Sequence, residues 1–150
     1  MKYKGSQFEY KFERDADLLR AYREQLAIRH NISLTEIASA IAKSPSRRFW
    51  VSEERAYIVV SDMIKGKSIE TMSKTKQAMF GEIYRRYVIY QKQLPTMSKR
   101  DIIWHICNEE APEFYLTPKS VIVILHKARK EEKKRCTERL RRRYAMSLLQ

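Results

Sequence analysis

The chain carries an ungapped internal repeat with an offset of 65 residues, and this constrains its fold more than any other feature. Ser33, Ile37, Ile41, Phe49 and Lys65 recur as Ser98, Ile102, Ile106, Phe114 and Lys130. Upstream, Arg20 and Tyr22 recur as Arg85 and Tyr87. Between the identities the chemistry is kept: Glu36/Asp101, Trp50/Tyr115, Val51/Leu116, Ser52/Thr117, Val59/Ile124 and Val60/Leu125. The matches fall where a core and its helix caps would lie. One structural unit is therefore used twice, and function is to be sought in two similar modules side by side.

With three glycines and four prolines the 150-residue chain is poor in turns, and 43% of it is hydrophobic. That combination favours helices over a sandwich or barrel. No apolar run approaches the roughly 20 residues of a membrane span. Met1-Lys2-Tyr3-Lys4 leads into charged residues and lacks the apolar stretch of a secretion signal, so a cytoplasmic location is expected. Cys107 and Cys136 lie in helical patterns and read as buried, reduced thiols.

Each repeat reads as three helices. In the first, Asp15 to about Arg29 spaces Leu18, Leu19, Tyr22 and Leu26 along one face. Ser33 with Glu36 forms a capping box before a short helix carrying Ile37, Ala38 and Ile41. A connection from Lys43 to Val51 leads to Ser52, which caps a third helix running to Gly66. The second repeat places a helix from about Gln77 to Gln93, a cap at Ser98 with Asp101, and a third helix capped by Thr117 with Pro118 in its first turn. Residues 8–12 alternate aromatic and charged, which suits a short strand or extended arm. The expected division is an arm over 1–14, helical repeat 1 over 15–66, a linker over 67–79, helical repeat 2 over 80–130, and a basic C-terminal helix over 131–150. The expected fold class is all-α.

Helix, short capped helix, connection and capped helix, taken in that order, resemble the trihelical helix-turn-helix group of DNA-binding modules. The resemblance covers residues 15–66 and again about 80–130. The connection from Lys43 to Val51 is longer than the three or four residues usual in that group. The small, basic, doubled format also looks like accessory proteins of phages and mobile elements. The resemblance implies that the start of each third helix faces bases in the major groove. In repeat 1 those positions are Glu53, Glu54 and Arg55, whose carboxylates would repel phosphate. In repeat 2 they are Lys119 and Ser120, with Lys99 and Arg100 at the start of the second helix. Repeat 2 is thus the better candidate reader, with a merely solvated first turn as the equal alternative.

Net charge is +13, and residues 127–150 alone hold ten Lys/Arg against three acids. An excess of this size implies a polyanionic partner, most often nucleic acid. The first connection is basic (Lys43, Arg47, Arg48) and the second acidic (Glu109, Glu110, Glu113). Arg47 and Arg48 suit a backbone phosphate, or the two loops pair with each other within or between chains. Phe49-Trp50 and Phe114-Tyr115 read better as pegs of each connection into its core than as stacking platforms for bases. In the tail, Arg135, Arg139 and Arg142 form one row, flanked by Lys134 and Arg141. Cys136, Leu140, Tyr144 and Leu148 form a neighbouring apolar stripe. The stripe is expected to pack on the body or a partner chain, with the arginines facing outward along a phosphate backbone.

No catalytic, metal-binding or cofactor-binding motif is found. His30, His105 and His126 lack companions at ligand spacing, and there is no glycine-rich phosphate loop. The expectation is a non-enzymatic protein that binds duplex DNA through repeat 2 and the tail. It is expected to use no small-molecule substrate and no membrane, with a homo-oligomer left open. The alternatives are a protein-interaction or assembly module and an RNA-binding protein.

Overall fold

The computed structural model describes residues 10–150, and every regular element within them is an α-helix. Six helices follow in order: α1 Lys11–Ile28, α2 Leu34–Ala42, α3 Glu53–Ile64, α4 Lys74–Gln93, α5 Lys99–Cys107 and α6 Pro118–Ser147. Local chemistry explains most boundaries. Ser33, Ser52, Ser98 and Thr117 each accept the backbone N–H three residues on, at 3.3, 3.1, 3.2 and 3.2 Å. Gly66, at φ 84°, ends α3: its N–H reaches the Met63 carbonyl and that of Lys67 reaches Asp62.

Three boundaries differ from the sequence reading. Of the arm over residues 1–14, residues 1–9 lie outside the described part, while Lys11 and Phe12 already belong to α1. The linker is shorter than 67–79, because Ser73 caps α4 through the Lys76 N–H. No break separates residues 118–130 from 131–150: α6 is one helix of 30 residues.

The largest difference is in how the helices pair. The third helix of each repeat completes the core of the other. One core joins Leu18, Leu19, Ile37, Ala38 and Ile41 of α1 and α2 to Phe114 and to Val121, Leu125 and Ala128 of α6. The second joins Phe80, Ile83 and Tyr87 of α4 and Ile102, Ile103 and Ile106 of α5 to Phe49 and to Ala56, Val59 and Val60 of α3. The packing units are therefore not the contiguous segments 15–66 and 80–130.

The two connections make this exchange by crossing at equivalent points. Ser46 and Ala111, one repeat apart in sequence, form an antiparallel bridge with N–H···O distances of 3.1 and 3.0 Å. On either side, Phe49 N–H donates to the Cys107 carbonyl and Phe114 N–H to the Ala42 carbonyl, at 3.1 and 3.2 Å. These bonds also map onto each other by the repeat offset, so the crossing is a pseudo-twofold centre. Its backbone groups are buried, and pairing them satisfies donors and acceptors that burial would otherwise penalise.

The crossing accounts for the repeated aromatic pair. Phe49 enters the α3–α4–α5 core while its neighbour Trp50 packs on the other core. Phe114 and Tyr115 do the same in reverse. Tyr115 stacks on Phe49 with ring centroids 6.0 Å apart and takes a left-handed φ of 55°. Burial pushes its hydroxyl up to about 12. Each connection thus pins both cores at once.

Candidate nucleic-acid interface

α6 is the element on which the expected binding residues concentrate, and its faces follow from its packing. Val121, Leu125 and Ala128 are buried, and Glu132, Arg135, Arg139 and Arg142 continue the same stripe at alternating spacings of four and three. Glu132 pairs with Arg23 of α1, and the Arg135 guanidinium lies 4.2 Å from the centre of the Phe12 ring. The Arg135, Arg139 and Arg142 row therefore starts on the α1 side of α6, not on its outer side as expected.

The side of α6 away from the core carries a different row. Lys119, Lys130, Lys134 and Arg141 lie along it, flanked by Lys127 and Lys133, and all six are exposed. None of the six forms an ion pair among the described residues. Ser120 is only half-exposed, and Thr117 occupies both its backbone N–H and, at 3.0 Å, its hydroxyl. It closes the helix cap, which leaves Lys119 as the free polar group at this end.

The apolar stripe expected to pack is uncovered. Leu140, Tyr144 and Leu148 are 60, 68 and 69% exposed, and Cys136 is an exposed free thiol rather than a buried one. The reason is length. The contacts of α6 with the body end at Arg135, and the remaining turns extend roughly 18 Å further.

The other predicted binding residues are dispersed. Arg48 is structural: its guanidinium donates to the carbonyls of Phe49 and Val51 at 3.1 and 2.9 Å and to Asn108 at 3.3 Å. It also sits over the Tyr10 and Trp50 rings and 3.4 Å from Glu53. Four of its five N–H donors are thus engaged within the protein, which leaves no fork to hold a phosphate. Arg47 is mostly exposed and lies 3.8 Å from Asp17. Lys99 and Arg100 lie over the ring of Tyr57, 5.1 and 4.3 Å from its centre, with Arg100 3.8 Å from Glu54. They stand beside the acidic start of α3, in the unit opposite Lys119 and Ser120. The helix exchange separates the two pairs that the sequence assigned to one reader.

The two charged loops do meet, through the Ser46–Ala111 bridge and the bond from Arg48 to Asn108, but among the described residues no ion pair joins Lys43, Arg47 or Arg48 to Glu109, Glu110 or Glu113. Glu109 instead meets Arg86 at 3.1 Å, accepts a short hydrogen bond from the Tyr90 hydroxyl, and lies 3.2 Å from His105. That hydrogen bond, with burial adding to it, raises Tyr90 above the ordinary phenol range. At the equivalent positions repeat 1 has Ala21, Gln25, Ala40 and Ser44, so this cluster belongs to repeat 2 alone. It ties the start of the second connection to α4.

One buried charge escaped sequence reasoning. The Asp17 side chain is wholly buried and accepts from Arg20 at 2.6 and 2.9 Å, from the Arg47 N–H at 2.9 Å, and from the Trp50 indole at 3.1 Å. Glu82 and Arg85 hold the equivalent pair in repeat 2, at 2.6 Å, where hydrogen bonds from the arginines keep Glu82 below the usual carboxylate range. An acid three residues before each repeated arginine was the available signal.

No known protein family, curated protein or solved structure matches this chain.

Proposed function

We propose that the protein is a non-enzymatic duplex-DNA-binding protein that lays α6 along the phosphate backbone. The observation carrying this reading is the outer row of α6: six exposed lysines and arginines without acidic partners among the described residues, on a helix whose opposite face is anchored in the core. A rigid line of cations follows a backbone and supplies affinity with little sequence preference. Within the helix-turn-helix resemblance, the two trihelical units are α1–α2–α6 and α4–α5–α3, and the first is the binding unit. Its third helix opens with Lys119, whereas α3 opens with Glu53 and Glu54. Those two carboxylates are held by Asn108 at 3.2 Å and by Arg100 at 3.8 Å.

The test is a gel-shift titration against duplex DNA, single-stranded DNA and RNA at two salt concentrations. Changing Lys119, Lys130 and Lys134 to Gln should flatten the plot of log K against log salt on duplex by about 0.9 per lost contact. Arg139→Gln with Arg142→Gln asks the same of the α1-side row. An unchanged slope for both sets means that α6 does not touch phosphate. Tighter binding to RNA than to duplex would favour the RNA alternative.

A further inference from the structure

The uncovered end of α6 has chemistry that phosphate binding leaves unused. Leu140, Tyr144 and Leu148 recur every four residues and are mostly exposed. Arg141 borders this stripe on one side and Arg143 on the other, while Glu138, the sole acid of the projecting turns, lies on the far side. The stripe also faces away from α1, because Arg135, Arg139 and Arg142 occupy the α1 side. It therefore continues the outer lysine row: one side of the helix is cationic over its first turns and apolar between cations over its last.

We propose that this outer side of α6 docks on an anionic lipid surface, with Leu140, Tyr144 and Leu148 inserted among the headgroups and Arg141 and Arg143 reaching phosphates at either edge. The inference shares the outer cations of α6 with the DNA reading, so a vesicle and a duplex would compete for that side, but it rests on the apolar stripe and not on that reading. The occupant must bear negative charge, because a second copy of this cationic helix would be repelled. It must also offer an apolar layer behind that charge, which a phosphate backbone does not. A lipid surface meets both conditions, and arginine stems bury well while their heads stay at the phosphate level. Shape agrees: α6 is about 45 Å long, and its outer side is clear of the body, so a flat surface can approach along it. No helix among the described residues is long and apolar enough to cross a membrane, so this is surface association, which the sequence reading did not expect. It became visible only when the stripe proved uncovered.

The test uses the full chain labelled with an environment-sensitive nitrobenzoxadiazole maleimide. Label enters at exposed Cys136, because Cys107 is buried and its thiol is pushed up to about 12. The labelled chain is sedimented with vesicles of phosphatidylcholine alone and of an equimolar mixture with phosphatidylglycerol. Expected are retention and a blue-shifted emission on the anionic vesicles only. Leu140→Ser, Tyr144→Ser and Leu148→Ser together should weaken vesicle binding by about tenfold or more and abolish the blue shift. These side chains are exposed, so an unchanged circular dichroism spectrum and unchanged binding to duplex confirm that the fold is kept. Vesicle binding by the triple variant equal to the parent's would reduce the contact to charge alone and overturn the proposal. Failure of the parent to bind anionic vesicles would also overturn it, and an acidic groove on a partner protein would then be the better occupant.

Discussion

Replacing Asp17 by Asn keeps volume and shape and tests the hub that holds the first connection to α1. Every partner of this carboxylate is a donor: Arg20, the Arg47 N–H and the Trp50 indole N–H. An amide offers a single acceptor oxygen, and its NH2 would face donors. Arg20 bonds one oxygen and the Arg47 and Trp50 N–H groups share the other, so the amide NH2 must face either Arg20 or both of those donors. Each buried donor left unpaired costs about 1–3 kcal/mol. Arg20 loses less, because Glu24 at 2.9 Å and the Pro45 carbonyl at 3.3 Å remain to it. The expected cost is about 3–5 kcal/mol, the range for breaking a buried charge pair from one side. For a chain of this size that is roughly 6–20 °C in Tm. Glu82→Gln is the internal control: Glu82 is the equivalent acid, but its side chain is 19% exposed where that of Asp17 is wholly buried, and about 1 kcal/mol or less is expected. Chemical denaturation of both variants settles the matter. Equal losses at the two sites, or an Asp17→Asn loss below about 1 kcal/mol, would refute the assignment of Asp17 as a structural hub.

Further outcomes follow from the same structure. Ile41→Ala and Ile106→Ala, each at a fully buried position in a different core, should each cost about 2–5 kcal/mol on denaturant unfolding. Each should also expose aromatic groups in both cores together, because the crossed connections link them. Arg48→Lys should lower stability by about 1–3 kcal/mol, since an ammonium cannot reproduce the forked contacts to Phe49, Val51 and Asn108. The same variant should leave the salt slope of DNA binding unchanged. On the alkaline side, burial raises the Cys107 thiol from 9.0 to about 12. The unfolded chain then loses this proton first, so the contribution is intact below pH 9 and fades as pH rises towards 12. Cys107→Ala should make stability fall less steeply across that window in pH-dependent unfolding.

Helix boundaries were legible wherever a local bond sets them. Ser33, Ser52, Ser98 and Thr117 cap through the N–H three residues on, and such a contact depends on a few neighbouring side chains only. The core positions of α2, α3, α5 and α6 were legible for a similar reason, since helical spacing of apolar residues needs no knowledge of the partner. Ser73 escaped because a polar run rich in Lys, Ser and Thr reads as linker until its helix is seen.

The sequence alone determined that two like units exist, where their helices begin, and that the last helix is long and cationic. Which third helix completes which core was decided only in the tertiary structure. The repeats present equivalent apolar faces, so spacing and capping are equally satisfied by either pairing, and the choice rests on the crossing of Ser46 with Ala111. From that choice follow the separation of Lys99 and Arg100 from Lys119, and the enclosure of Arg48 beside Asn108. The side-chain surroundings of a charged residue depend on contacts far apart in sequence, here some 60 residues, and no local pattern encodes them.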